Sequence, residues 1–353
     1  MKIFNKDIAR KYVVAGVCGL VLLLALGFVA FMQYYRLEKK NFLSNDGKEH
    51  GYFIYPDMSM DSVLALVSQD YSIFSTYSLD WYTKHTNLHK IEEGFYRFPA
   101  TMSTRYFVHR IKSGTQTPIN LSFTNQIRTR QQLAKRLAKQ LLIDSAQIMT
   151  LLDSTDYIAK FGFNQYNITC MFIPNTYEVF WTTSAEDLFE RMYREYNVFW
   201  NDKRREEAKD MGLTPIEVCI LGSIAESETN KTFEYPIIAQ LYLNRLHRRM
   251  PLQACPTIIF AWGNFSMRRV LDKHLNIKSP YNTYKNLGFP PGPIRLTNAS
   301  TMDAILHSEP NKYLYMCANP EFDGTHIFSS TFAEHKQNAR KYQRELNKRH
   351  IKK

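Results

Sequence analysis

The longest apolar run of the chain comes first. From Val13 to Met32 no charged residue interrupts it, and at ~1.5 Å of rise per residue a helix of that length crosses the ~30 Å hydrocarbon core of a bilayer. Tyr12 stands at one end and Tyr34-Tyr35 at the other, where amphipathic rings prefer the membrane interface. A cleaved signal peptide is the rival, but its apolar region is usually only roughly 7–15 residues long. Cys18 follows Val17 rather than a small residue, so a lipoprotein signal is not indicated. The pattern predicts a retained single-pass anchor over residues 13–35 after a cytoplasmic N-terminus, 1–12. Lys2, Lys6, Arg10 and Lys11 precede the span and Arg36, Lys39 and Lys40 follow it, so the basic bias that sets orientation is small. With the N-terminus inside, the rest of the chain lies outside the membrane.

Beyond the span the pattern turns polar, and residues 36–50 read as a linker. GYFIYP then predicts a short strand, and MSMDSVLALVSQ a helix with Ser59 or Asp61 available as its cap. GFYRFPA and MSTRYFVHRIKSG repeat that order, the second helix stopping at Gly114. These two rounds define a small α/β module over 51–117, near the lower size for independent stability. A connecting segment, 118–159, holds INLSFT and a basic helix, RTRQQLAKRLAKQLL. Leu133, Leu137 and Leu141, with Ala134 and Ala138, give it an apolar stripe at helical spacing.

The third region, 160–345, contains TPIEVCILGSIAESET, a helix with clear start signals. Thr214 caps it, Pro215 suits the first helical position, and Glu217 completes a capping box. Later, YLYMCA and THIFSS predict two strands joined by a loop ending in Asp323-Gly324. A basic helix follows from about Ala333, and 346–353 form a basic tail. The fold class expected is α+β: an N-terminal transmembrane helix, a small α/β module, then a mixed α+β domain.

Composition narrows the functional classes. A chain of 353 residues accommodates two compact units and an anchor. The formal charge of +12 attracts polyanions, whether nucleic acid, anionic lipid or an acidic cell wall. No zinc-finger spacing or RNP-type motif accompanies the basic residues, so no nucleic-acid partner is expected. The five cysteines, Cys18, Cys170, Cys219, Cys255 and Cys317, include no CxxC pair. Neither a disulfide framework nor a metal site follows, and no cofactor is expected. GxSxG, HExxH, P-loop and GxGxxG patterns are all missing.

What remains is Glu226-Ser227-Glu228-Thr229 at the end of the capped helix. Ile216, Ile220 and Ile224 mark one apolar face, and Glu228 continues it four residues after Ile224. Glu226 points to the opposite side, near Cys219 and Gly222. A carboxyl held against apolar neighbours loses hydration of its charged form, so its pKa rises and it can serve as an acid at a glycosidic oxygen. A frayed helix end with both glutamates solvated is the plain structural alternative. A glycosidase also needs a second carboxylate. Glu226, Glu234 and Asp272 are available, but none sits in a recognisable partner motif.

Several blocks carry a resemblance: the Glu-x-Glu-Thr helix end, the NRL…MPLQ segment, the YNTYKNLGFPPGPI loop and the YLYMCA…GTHIF hairpin. In this order they resemble the catalytic domain of the endolytic murein transglycosylases, the YceG-like family. The stretch from 51 resembles that family's LysM-like module. The resemblance implies cleavage of peptidoglycan glycan strands, with the muramoyl 6-hydroxyl as nucleophile and one residue acting first as acid and then as base. It places the catalytic glutamate on Glu228. It implies a glycan groove lined by Tyr281, Thr283, Tyr284 and His326, with Glu226, Gln253 and Asn282 in support. Turn stabilisation is the alternative role for those polar residues. Peptidoglycan synthases are the implied partners, and a non-catalytic glycan-binding protein is the rival function. One departure stands out: Cys255 occupies a position where the family usually has Asp, and a turn-capping role for that Asp is the favoured reading.

Overall fold

The computed structural model describes residues 3–86, 88, 90–267 and 269–349, with side chains from residue 10 onward. Residues 1–2 of the expected N-terminal segment and 350–353 of the basic tail lie outside the described residues. Two compact units share the chain: Met1–Ile119 with Val179–Thr182, and Asn120–Glu178 with Thr183–Lys353.

The first unit holds α1 (Ile3–Glu38), β1 (Lys40–Ser44), β2 (His50–Ile54), α2 (Met60–Val67), β3 (Tyr71–Ile73), α3 (Thr76–His85), β4 (Gly94–Phe98), β5 (Thr101–Ser103) and α4 (Thr104–Ser113). Along α1 the apolar side chains of Leu20 to Leu24, Phe28 and Phe31 are exposed. Its apolar window buries nothing against protein, and a stretch apolar on every side suits lipid surroundings.

Both strand–helix rounds form. Ser59 caps α2 by accepting the Ser62 N–H, and α4 ends at Gly114, whose φ of 65° is the left-handed turn that glycine adopts without strain. The polar run read as a linker is different. It contains β1, the central strand of an antiparallel sheet ordered β3-β1-β5. Asn41 is buried there, and its amide donates to Ser75 O and Thr104 Oγ1 while accepting the Ser75 N–H. A polar residue with every hydrogen bond satisfied can occupy a core strand, so composition concealed the element. β2 and β4 pair separately, with Tyr52 opposite Tyr96. Phe42, Tyr52, Ile54, Tyr96, Phe98 and Phe107 make the centre of this core.

The remaining chain supplies β6 (Ile119–Phe123), α5 (Arg130–Ala138), α6 (Ser145–Asp153), α7 (Thr155–Ala159), β7 (Asn175–Val179), α8 (Ala185–Phe199), α9 (Asp202–Asp210), α10 (Pro215–Glu228), α11 (Tyr235–His247), α12 (Cys255–Trp262), α13 (Ala299–Leu306), β8 (Tyr315–Ala318), β9 (His326–Ser329) and α14 (Phe332–Lys348). The basic segment does form a packed helix, α5, with Leu133, Ala134 and Leu137 buried. Helix α10 is the axis of the second unit, contacted by α9, α11, α12 and α13. Every residue from Val218 to Glu226 on it is buried. The antiparallel hairpin β8–β9 pairs Ala318 with His326, and α14 packs on it.

Candidate active site

The start of α10 is fixed by the capping box that its sequence announces. Thr214 Oγ1 accepts the Glu217 N–H, and Glu217 Oε2 accepts the Thr214 N–H at 2.7 Å. At the other end Thr229 turns extended, with φ −144° and ψ 156°, and stops the helix directly after Glu228. Glu228 is left half-buried on the wall of a cavity of about 400 Å³.

Tyr242 of α11 donates its hydroxyl to Glu228 Oε1 at 2.7 Å. Burial raises the Glu228 pKa above the ordinary carboxylate value; the Tyr242 hydrogen bond and the neighbouring His326 oppose that rise without cancelling it. The position adds to the effect, because the C-terminal end of a helix disfavours a negative charge and no basic residue lies in the last turn of α10. Burial and the Glu228 charge push the Tyr242 phenol well up, so it remains a donor.

Gln253, Tyr284 and His326 also line this cavity. Gln253 has φ 56°, a left-handed conformation seldom taken by residues other than glycine. It is pinned there by its N–H to Thr283 O and by Arg245, whose guanidinium donates to Gln253 Oε1 and to the carbonyls of Pro251 and Leu314. His326 begins β9, with its ring tied to the buried Glu234.

Other expected residues sit behind the wall. Asn282 is fully buried; its amide donates to Leu275 O and Ile277 O, and its Oδ1 accepts the Tyr284 N–H. Thr283 is buried against Thr257 and the Ala254 N–H. Tyr281 packs on Phe260 with ring centroids 4.6 Å apart. These three brace the loop that presents Tyr284.

Glu226 is not beside Glu228 in chemical terms. Its carboxylate accepts from Asn125 Nδ2, the Asn298 N–H and Thr301 Oγ1, and stands 3.8 Å from Arg295 Nε. The two glutamates leave the helix in different directions: Glu228 lines the cavity and Glu226 is buried in protein. Asp272 is exposed on a separate turn. Cys255, in the position where the family usually has Asp, stands at the start of α12. Ala254 occupies the cap of α12, so Cys255 is the first helical residue. Its Sγ lies 3.1 Å from the Tyr284 hydroxyl on the cavity wall, where burial pushes its pKa up.

Sequence reasoning missed Tyr242, Arg245, Tyr315 and His335, all on the same wall. Tyr242 and Arg245 are three apart on one helix, a spacing that shares a face, and that signal could have paired them.

The sequence model of the YceG-like family matches residues 52–341. The chain belongs to the YceG-like family. An endolytic murein transglycosylase of Bacillus subtilis is 28% identical over 300 residues, covering 80% of this chain and 82% of the relative. One from Streptococcus pneumoniae is 25% identical over 291 residues, with 73% of this chain covered and 52% of the relative, so the chain spans about half that protein's length. A crystal structure of a YceG-like protein from Listeria monocytogenes superposes with a TM-score of 0.55 at 25% identity, covering 82% of this chain and 98% of the other. A YceG-like chain thus has its half-buried glutamate at the end of a buried helix, on the wall of an open cavity.

Proposed function

We propose that this membrane-anchored chain is an endolytic lytic transglycosylase, a lyase acting on murein, and that Glu228 is its acid. The finer reading is cleavage of the β-1,4 bond between N-acetylmuramic acid and N-acetylglucosamine in nascent strands. Glu228 protonates the departing oxygen, the muramoyl 6-hydroxyl attacks C1 as its proton passes to a base, and a 1,6-anhydro end results, terminating strand elongation. One observation carries this. Glu228, whose pKa is raised by its buried surroundings, is the only carboxyl group among the described residues that line the cavity. A hydrolase needs a second carboxylate roughly 5–9.5 Å away, whereas an internal hydroxyl nucleophile needs no activated water.

The cavity is read as part of the glycan groove, with Gln253, Tyr284 and His326 on its wall. The module at 51–117 is read as LysM-like and glycan-binding. α1 is the single-pass anchor in the cytoplasmic membrane with the catalytic part outside, and peptidoglycan synthases are the partners. The test is mass spectrometry of sacculi digested with the full-length chain in detergent. Anhydro-muramoyl ends are expected from the wild type and none from Glu228→Gln. Ordinary reducing ends would make the protein a muramidase, and intact strands would leave it a glycan-binding protein.

A further inference from the structure

Behind the cavity wall lies a carboxylate that the proposed reaction leaves unused. Glu234, in the turn Thr232–Glu234, is 1% exposed. Its Oε1 accepts the backbone N–H of His326 at 2.6 Å. Its Oε2 accepts the Thr229 hydroxyl at 2.7 Å and lies 3.0 Å from His326 Nδ1. All of these contacts suit an anion, and the His326 ring is its one ion-pair partner among the described residues. Nδ1 is thereby committed to Glu234, which fixes the tautomer and leaves Nε2 as the nitrogen available to the cavity.

We infer that His326 Nε2 takes the proton of the attacking 6-hydroxyl, with Glu234 as its positioning residue. This rests on the transglycosylase reading. The bond broken at C1 is β, and the anhydro bridge that replaces it also lies on the β face. The departing and arriving oxygens therefore share one side of the sugar, and both proton carriers must stand on one wall. Glu228 and His326 do so, both lining the one cavity.

The protons balance. Glu228 gives its proton to the 4-oxygen as the C1–O4 bond breaks; O6 bonds to C1 and its proton passes to Nε2. The imidazolium then returns a proton to Glu228 through solvent. Splitting the two transfers keeps Glu228 anionic while positive charge sits at C1, where a fixed negative group stabilises it most. Glu234 stabilises the imidazolium as it forms, the part a buried carboxylate plays behind a catalytic histidine.

The groups around the ring allow this. Desolvation pushes the Tyr242 and Tyr284 phenols and the Cys255 thiol up, and desolvation and Arg245 push His335 down. Tyr315 and Cys317 lie on the paired strand, and burial raises the Cys317 thiol as well. Glu234 is the carboxyl group in contact with His326, and Glu228 and the Arg245 cation share its cavity.

The test is the pH dependence of kcat and KM for the full-length chain on isolated glycan strands. His326→Ala is expected to lower kcat about 10²–10⁴-fold, to lose the acid limb of the profile, and to recover in part with added imidazole. Glu234→Gln, which removes the carboxylate that orients the ring, is expected to lower kcat with KM unchanged. His326→Gln, which keeps a polar group in place, should match His326→Ala in kcat. A His326→Ala enzyme that keeps the wild-type kcat and acid limb, or loses only in KM, overturns the inference and makes the ring a binding group. A wild type that forms no anhydro ends would instead sink the transglycosylase reading itself.

Discussion

Desolvation favours the neutral carboxyl of Glu228, and the Tyr242 hydroxyl favours its anion. Removing the hydroxyl leaves desolvation unopposed by its strongest counterweight. Tyr242→Phe should therefore raise the Glu228 pKa further and move the alkaline limb of activity to higher pH, read as kcat/KM against pH. The same elevation bears on stability. A carboxyl whose folded pKa lies above its unfolded value contributes stability that is full below the unfolded pKa and is lost as pH rises through the folded one. At neutral and higher pH the wild type carries this cost, and a neutral isostere does not. Glu228→Gln should accordingly melt at a higher temperature than the wild type at alkaline pH, with the difference closing in acid, by thermal denaturation at several pH values. An unchanged difference across pH would mean that Glu228 does not titrate in the range.

At the scale of elements, α10 is held by its partners through Glu226 rather than through a solvated face. That carboxylate joins the helix to Asn125, to the Asn298 N–H at the start of α13, to Thr301 on it and to Arg295, which is 7% exposed. Cutting Glu226 back to Ala strands a buried guanidinium, which typically costs about 3–5 kcal/mol. The melting temperature should fall by on the order of 10 °C. If Glu226 took part in chemistry instead, Glu226→Gln would lose kcat at an unchanged melting temperature. Gly222 shows how close this packing is: a Cβ there would meet Thr297 Cγ2 at 2.5 Å. These contacts explain what was legible. Caps and strand alternation are written locally, so α10, α2, α4 and the β8–β9 hairpin could be read from neighbouring residues. Helical phase gave Glu228 its direction because i and i+4 share a face whether or not the helix has a solvent side. On a helix buried all round the opposite face is protein as well, and that is where Glu226 lies. The Glu234–His326 pair joins positions 92 residues apart, and nothing local marks it. β1 was hidden by Asn41, whose polarity is matched by partners more than thirty residues away.

For the whole molecule, α1 makes the most direct physical demand. Leu22, Leu23 and Leu24 are 61%, 67% and 65% exposed, and they sit in a candidate span that buries none of its apolar window against protein. A monomeric protein in water does not sustain a continuous apolar surface of this extent. Lipid removes the difficulty at little cost, since every backbone group of a helix is bonded within it. If lipid is the partner, stability of anchoring must depend on the middle of the run and hardly on its ends. Arginine near the centre of a span costs roughly 2.5–3.5 kcal/mol on insertion scales, so Leu22→Arg with Leu24→Arg should shift the chain from the membrane fraction to the soluble fraction after alkaline carbonate washing. Tyr12→Arg, at the interface where a long basic side chain can reach the headgroups, should leave it in the membrane. Equal release of both variants would mean that the helix is held by another protein's surface rather than by the bilayer core. Release of the wild type itself would mean that it is not anchored by this helix at all.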